Sequence, residues 1–480
     1  MASALVLASE VGVPRFFTLE FNEYGSYSTY VRDGGEMDGC IRFDETNVES
    51  PYTKFEAEAA AADGLFHIRS CQNNKYWERS KIQHKCWITA TAKKKEEDQT
   101  NASCTLFKFI TVDAFMKAVR ILHVQSGNYL CLSVTDDQPA TTARCASADY
   151  SVVDREGRDI LQLVDWRSLL VLPKYVAFKG DNGKYLRHRP QNPRWDYLEF
   201  SADDLGDQTV PCEVFVARGG NVRIKTLFNN RFWRLSPTWI WADSTDTNSY
   251  NNNTVFRPVK YDDTTIGLIS LGNNLFCRSL TADRKKNCLD AGVPSLIREA
   301  RLTVVEPILN RQIFDVQYQL DDARVYEESV LLLSRKVVAN HSQVSDTRDV
   351  KLSYTETRTS TWNSSLSLNL GIKATVRFRI PKIMISGKIE ISLEFESVTE
   401  WGETKEWTTV VEVVNKVVVP PMTKVTVDMV AKRARCDVPF TYMQRDTLYD
   451  GRIVTTKIEG SSYTGSNYYS FDFVTRAEKL

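Results

Sequence analysis

The stretch RFRIPKIMISGKIEISLEF, residues 377–395, decides how the last third of the chain is read. Apolar residues alternate with charged ones as far as Pro381 and resume beyond Gly387. One arm carries Ile372, Ala374, Val376, Phe378 and Ile380; the other carries Ile389, Ile391, Leu393 and Phe395. The interleaved positions are Lys373, Thr375, Arg377 and Arg379, then Lys388, Glu390, Ser392, Glu394 and Glu396. A period of two means strands with one apolar and one wet face, here joined as a hairpin. Its tip is apolar too: Pro381, Ile383, Met384 and Ile385 precede Ser386-Gly387. Each arm is close to the length of a tilted membrane strand, about 9–11 residues. Arg377 and Arg379 on one arm and Glu390 and Glu394 on the other would pair across the hairpin or line a watery lumen. The alternation leaves two solvents open for the greasy face, a protein core or lipid. Lipid carries an obligation, because one hairpin alone leaves unpaired backbone in the bilayer and several copies must close a barrel.

Around this hairpin, residues 308–480 read as strand throughout. VKLSYTETRTSTWNSSLSLNL (350–370) and WTTVVEVVNKVVVPPMTKVTVDMV (407–430) alternate over lengths beyond ordinary globular strands. Pro420-Pro421 marks an edge, bend or crossing there.

The first 300 residues are built differently. Six stretches share a small or polar pair followed by an aromatic: GSYSTYVR (25–32), QNNKYWER (72–79), QSGNYLCL (125–132), DNGKYLRH (181–188), FNNRFWRL (228–235) and GNNLFCRS (272–279). Aligned on Tyr30, Tyr76, Tyr129, Tyr185, Phe232 and Phe276, each unit is a tight Asn/Gly turn between short strands, too small to bury its own face. Residues 154–170, DREGRDILQLVDWRSLL, have plausible helical periodicity and divide the six units into three and three. Two tandem β-trefoils fit this division; a single six-bladed propeller is the competing geometry. The expected domains are 1–153, a helical linker 154–171, 172–307, and 308–480.

Bulk properties narrow the function. The 480 residues hold 61 basic and 61 acidic side chains, so nothing argues for nucleic acid as a partner. MASALVLASEVGVPRFF lacks a basic n-region, and ten cysteines fall without a CxxC. Both point to reduced, mostly buried thiols and a cytoplasmic or nucleocytoplasmic site of synthesis. The five histidines show no HxxxH or HExxH spacing, and no nucleophile elbow or phosphate loop occurs, so no metal, cofactor or catalytic site is expected. Aromatics do suggest a ligand. Asn74, Lys75, Tyr76 and Trp77, with the counterparts Asn230 and Trp233 and the nearby Trp239 and Trp241, offer ring faces for sugar C–H surfaces and amides for hydroxyls. The competing reading makes these tryptophans core wedges. Lys432-Arg433-Ala434-Arg435 is either an activating cleavage site or a solvated turn.

Two resemblances cover nearly the whole chain. FHIRSCQNNKYW and KYVAFKGDNGKYLRHR, within residues 10–305, resemble the amaranthin family of plant agglutinins. That resemblance implies paired β-trefoils recognising galactose/N-acetylgalactosamine disaccharides of the T-antigen kind, at sites shared in head-to-tail dimers. TSTWNSSLSLNLG, IPKIMISGKIEISLEFES and TEWGETKEW, within residues 308–480, resemble aerolysin/epsilon-toxin-like β-pore-forming proteins. That resemblance implies a hairpin tucked against its sheet until ring-forming oligomerisation sends it through a target membrane. The resulting expectation is an all-β, non-enzymatic, defence-related plant lectin that binds glycans, itself and finally lipid. Two alternatives are a lectin whose third domain is only a scaffold, and a glycan-processing enzyme.

Overall fold

The computed structural model describes residues 12–21, 25–33, 35–133, 142–189, 196–246, 248, 251–364 and 376–480. Among them every long element is a strand, with only three-residue 3-10 turns between. Two units emerge from the contacts. One holds residues up to 312 together with 445–455; the other holds 313–364, 376–444 and 456–480.

Within the first unit, two twelve-stranded sheets succeed one another, β1–β12 between Phe16 and Asp165 and β13–β24 between Tyr175 and Val305. Twelve strands in three repeats of four is the β-trefoil pattern, with a barrel closed by hairpins. The repeat motif explains itself at the turns. Gly25, Asn74, Gly127, Gly183, Asn230 and Asn274 all have left-handed backbone, with φ between 55° and 76°, where only Gly and Asn sit cheaply. An asparagine one residue earlier ties four of the turns to a neighbouring strand. Asn73, Asn182, Asn229 and Asn273 donate through Nδ2 to the carbonyls of Ala90, Phe200, Ala242 and Ala291, at 2.8–3.1 Å. In the same four turns the asparagine Oδ1 accepts the amide two residues on. The Asn/Gly pair is thus a folding device.

Three expectations are corrected. The frame of the first repeat lies three residues earlier: Tyr27, not Tyr30, takes the position of Phe232, since Glu20↔Tyr27 and Lys225↔Phe232 are equivalent pairs after the turn. Residues 154–171 form no α-helix, only the three-residue 3-10 turn Trp166–Ser168. Leu161–Asp165 (β12) pairs with the first strand, Phe16–Phe21, burying Leu161 and Leu163 at period two, so the first barrel closes at Asp165 rather than 153. Between the barrels, the Gly25 position is crowded: a Cβ there would stand 2.8 Å from the Arg218 guanidinium carbon. Arg218 binds Glu20 through that opening at 3.0 Å (Nε–Oε1), and Gly219 N–H donates to the Tyr27 hydroxyl at 2.9 Å.

The third correction concerns the second unit, a sheet of very long strands. Its strands are β25 (Ile308–Tyr318, of which the first five residues belong to the first unit), β26 (Arg324–Asn340), β27 (Asp346–Asn363), β30 (Thr404–Val419), β31 (Thr423–Leu448) and β32 (Ile453–Lys479). Between β27 and β30 come β28 (Val376–Ile383) and β29 (Ile389–Val398). The order is β25-β31-β32-β27-β30, with β26 also on β31. Pro420-Pro421 make the turn between β30 and β31, as expected. Lys432–Arg435 do not form an exposed turn: they lie inside β31, paired with β26, with Ala434 buried. A protease needs an extended loop, and this segment is locked in a ladder.

The left-handed turns yield a test. Asn274→Gly should leave thermal stability unchanged or slightly raised. Asn274→Val should cost about 1–2 kcal/mol, read as a lowered Tm; equal stability of the two variants would refute the turn's role.

Candidate functional site

The aromatics singled out in the sequence occupy two quite different environments. Trp77 is fully buried, edge-on to Phe55 and Phe107 at 5.1 and 6.0 Å between ring centroids. Trp233 repeats this role between Phe178 and Phe256. Both rings are core wedges with no face for a sugar, so the surface role expected of them gives way to the competing one. Asn74 and Tyr76 are also buried, in a polar network: Arg69 donates to Asn74 Oδ1 and pairs with Glu56 and Glu58, while the Tyr76 hydroxyl donates to Glu58 at 3.0 Å. Trp239 is buried with Lys285 over its ring, whereas half-buried Trp241 donates Nε1–H to the Ser236 carbonyl at 2.6 Å. Only Lys75, Asn230 and Trp241 of the expected set keep appreciable surface.

The hairpin of the second unit forms as expected, with β28 and β29 joined through a turn at Met384–Lys388 where Gly387 has φ 76°. Ile372 lies outside the described residues. The remaining apolar positions divide. Val376, Phe378, Ile380, Pro381 and Ile383 are buried, together with Val398, against Trp362, Phe440, Tyr442 and Tyr463. Phe378 stacks on Trp362 at 4.3 Å and 16° between planes. Ile389 and Ile391 are half-buried, but Leu393 is 85 % exposed, Ile385 78 %, Phe395 53 % and Met384 41 %. Core is therefore the solvent of β28 and of the open end of β29, while the middle of β29 and the tip meet water.

Register explains the division. At the open end Val376 faces Val398, Phe378 faces Glu396 and Arg379 faces Phe395; toward the tip Pro381 faces Ile391 and Ile383 faces Ile389. Three residues of β29, Ser392–Glu394, stand opposite Ile380 alone, and both strands change face there. Phe395 is turned outward beside Arg377 and Arg379, whose guanidinium carbons lie 5.9 and 5.5 Å from its ring centre. Glu396 is carried inward to 5 % exposure, where Ser360 donates to Oε2 and Lys405 Nζ stands 3.8 Å from Oε1.

What fastens the hairpin is not a ladder. It is a two-stranded sheet of its own, with no strand pairing to the larger sheet among the described residues. Asn467 of β32 takes the place of a neighbouring strand for one residue: its Oδ1 accepts Ile383 N–H at 3.1 Å and its Nδ2 donates to Ile383 C=O at 2.9 Å. Tyr318 donates to the Arg379 carbonyl at 2.6 Å, and Glu394 reaches Arg358 on β27 at 2.8 Å as well as Lys382. Sequence reasoning missed Asn467, Tyr318, Arg358 and Ser360, because their roles depend on partners distant in the chain. Glu390 is exposed opposite Lys382.

Paired β-trefoils and a long-stranded sheet carrying a hairpin held by side chains define a lectin-type unit joined to a pore-forming-toxin-type unit. A family model described as Agglutinin domain matches residues 11–165 and 170–306, more than half of the chain, and one described as Aerolysin toxin matches 315–452. The chain belongs to the agglutinin-domain family and carries an aerolysin toxin domain behind it. Similar curated proteins include Natterin-1 and Natterin-2 of Thalassophryne nattereri, each 28 % identical over 159 residues, which is 33 % of this chain and 44 % and 42 % of theirs. The chain thus spans less than half the length of these relatives. Similar structures include the lamprey immune protein (13 % identity, TM-score 0.32, 65 % of this chain and 93 % of that one). An aerolysin-like protein of Bombina maxima also matches (14 %, 0.24, 34 % and 97 %). At these scores the structural likeness carries no argument.

Asn467→Ala should leave the Ile383 amide and carbonyl unpaired at a cost of about 1–3 kcal/mol. Hydrogen exchange should then accelerate in residues 376–398 while the trefoil amides stay unchanged; uniform exchange throughout would argue against the clip.

Proposed function

We propose that the chain is a glycan-directed membrane-perforating protein. Its trefoils concentrate it on surfaces bearing galactose/N-acetylgalactosamine-type glycans, where several weak sites act together. Its second unit then assembles into a ring, and the β28–β29 hairpins close a lipid-spanning barrel in the target membrane. Defence against the bearer of those glycans is the role such an activity suits. The observation that carries this reading is the hairpin's independence of the main sheet: it can leave without breaking a ladder.

Energetics support a stored state with a conditional exit. Five buried aliphatic and aromatic side chains hold the hairpin, each worth about 1.5–3 kcal/mol against water, so on the order of 10 kcal/mol opposes opening in solution. Lipid offsets that penalty for Val376, Phe378 and Ile380, and it also shelters Leu393 and Phe395, which now face water. Only a closed ring satisfies the strand edges in the bilayer. An edge suited to recruiting neighbours exists on β30. It pairs with β27 alone among the described strands, and exposes Val410, Val414 and Val418 at 53–68 %.

The membrane form also settles the hairpin's frustration. A regular hairpin one residue out of step with both halves of the present register would set Phe378 opposite Phe395 and Ile380 opposite Leu393. The same step sets Arg377 opposite Glu396 and Arg379 opposite Glu394. It collects Val376, Phe378 and Ile380 with Ile389, Ile391, Leu393 and Phe395 on one face, and it matches opposite charges at the open end of the other, where Pro381 and Ile383 also fall, since a one-residue slip exchanges faces. Lys382 then falls near the tip, where its stem reaches the head groups. The polar row Arg377, Arg379, Glu394 and Glu396 lines the lumen, with Glu390 nearer the tip.

Dye release from vesicles containing a galactosyl glycolipid tests the reading. Leakage should occur and be suppressed by free galactosyl-N-acetylgalactosamine disaccharide. Leakage indifferent to the sugar would uncouple the units, and binding without leakage at any density would leave a lectin with a scaffold domain.

A further inference from the structure

We propose that a cleft on the third repeat of the first barrel binds a neutral sugar ring, with the Tyr129–Tyr150 pair as its stacking shelf. The proposal rests on the lectin reading above and assigns that reading a location which the sequence motifs did not mark.

The six equivalent hairpin aromatics provide an internal comparison. Across the strand, Tyr27 faces Glu45, Tyr76 faces Ala92, Tyr185 faces Ala202, Phe232 faces Ser244 and Phe276 faces Val293. Tyr129 alone faces a second aromatic, Tyr150. Directly opposed residues share a face of the sheet, and both tyrosines line the same cleft. Tyr150 is 63 % exposed and is followed by exposed Val152 and Val153. Nothing in the barrel's folding requires an apolar cluster in water there.

The walls are polar and built. The cleft, of about 510 Å³, is lined by three cationic groups (Lys85, Arg155, Arg158) and three anionic ones (Asp154, Glu156, Asp159). Equal numbers give no net field for an anion or a cation, which favours an uncharged ligand. Lys85 is oriented by the Ser133 hydroxyl at 2.8 Å, and Arg158 by Asp154 at 3.1 and 3.3 Å. Asp159 is the most telling of these groups. It is 1 % exposed, and its Oδ2 accepts from Arg120 Nε and the Asp154 amide, both at 2.9 Å. Its Oδ1 has no hydrogen-bond partner among the described residues. A buried carboxylate oxygen without a donor is costly, and it lies in the wall of the cleft rather than on its open surface. Apolar rings on one side and fixed donors and acceptors on the other are the chemistry that reads a pyranose, whose C–H face is greasy and whose rim is all hydroxyl.

The test uses the full chain and three neutral probes: galactosyl-N-acetylgalactosamine disaccharide, mannobiose and chitobiose, followed by saturation-transfer NMR and titration. Tyr150→Ala, at an exposed position, should leave the Tm unchanged and weaken the sugar that binds by about tenfold, the worth of one lost aromatic contact. Tyr150→Phe should retain it, because the ring face remains. If Tyr150→Ala binds as tightly as the parent, or if Lys75→Ala or Trp241→Ala removes binding instead, the cleft is not the site and the lectin reading stands. If the parent chain binds none of the three sugars and no glycan-coated vesicle, the lectin reading falls and takes the cleft with it.

Discussion

The stack of Phe378 on Trp362, inside a cluster with Phe440 and Tyr463, is the contact on which the second unit depends. Side-chain packing, rather than a backbone ladder, holds the hairpin. The distinction matters because a ladder breaks one hydrogen bond at a time, whereas a greasy face changes solvents at nearly constant free energy when lipid replaces core. On the proposed reading the same residues serve two states. The polar clips from Asn467, Tyr318, Ser360 and Arg358 add direction: they fix where the hairpin lies without contributing a strand.

A sequence that served two states, as proposed, would satisfy neither completely, and the misfit is visible in this structure. The alternation of β29 is phased for a strand with Ile389, Ile391, Leu393 and Phe395 on one side. The structure breaks that phase at Ser392–Glu394, leaving Leu393 and Phe395 wet and Glu396 buried opposite Phe378. Local pattern and tertiary structure disagree within one strand, which is where functional constraint is expected to show. The trefoils are built differently. Their Asn/Gly turns, buried tryptophans and closing strands agree with one another, as befits a unit that only has to present a surface.

Legibility in the sequence followed the same line. Period-two alternation marked β27, β30, the start of β31 and the hairpin with its Gly387 turn, while β25, β26 and β32 were covered only by the reading of 308–480 as strand throughout; the turn motif gave the six repeats. Periodicity failed at Leu161–Asp165, where a short buried strand mimics a helical face, and in the first repeat, where Tyr27 and Tyr30 both fit the motif. Trp77 and Trp233 were ambiguous because a tryptophan beside an asparagine turn looks alike from either side of the barrel wall. Tyr150 went unmarked for a different reason: its significance is the residue across the strand, which no linear motif records. Likewise, no spacing in the chain connects Asn467 with Ile383.

The register of the hairpin in the membrane is the most direct measure of this account. Two full-length variants, Arg379→Cys with Phe395→Cys and Arg379→Cys with Glu394→Cys, alter only exposed side chains and differ in which pair lies directly opposite. Each is oxidised free in solution and after binding to leaking vesicles, and the cross-link is identified by peptide mass spectrometry. The expected result is the 379–395 bond in solution and the 379–394 bond on vesicles. A 379–395 bond in both settings, with leakage intact, would contradict the slip and the exchange of core for lipid built on it.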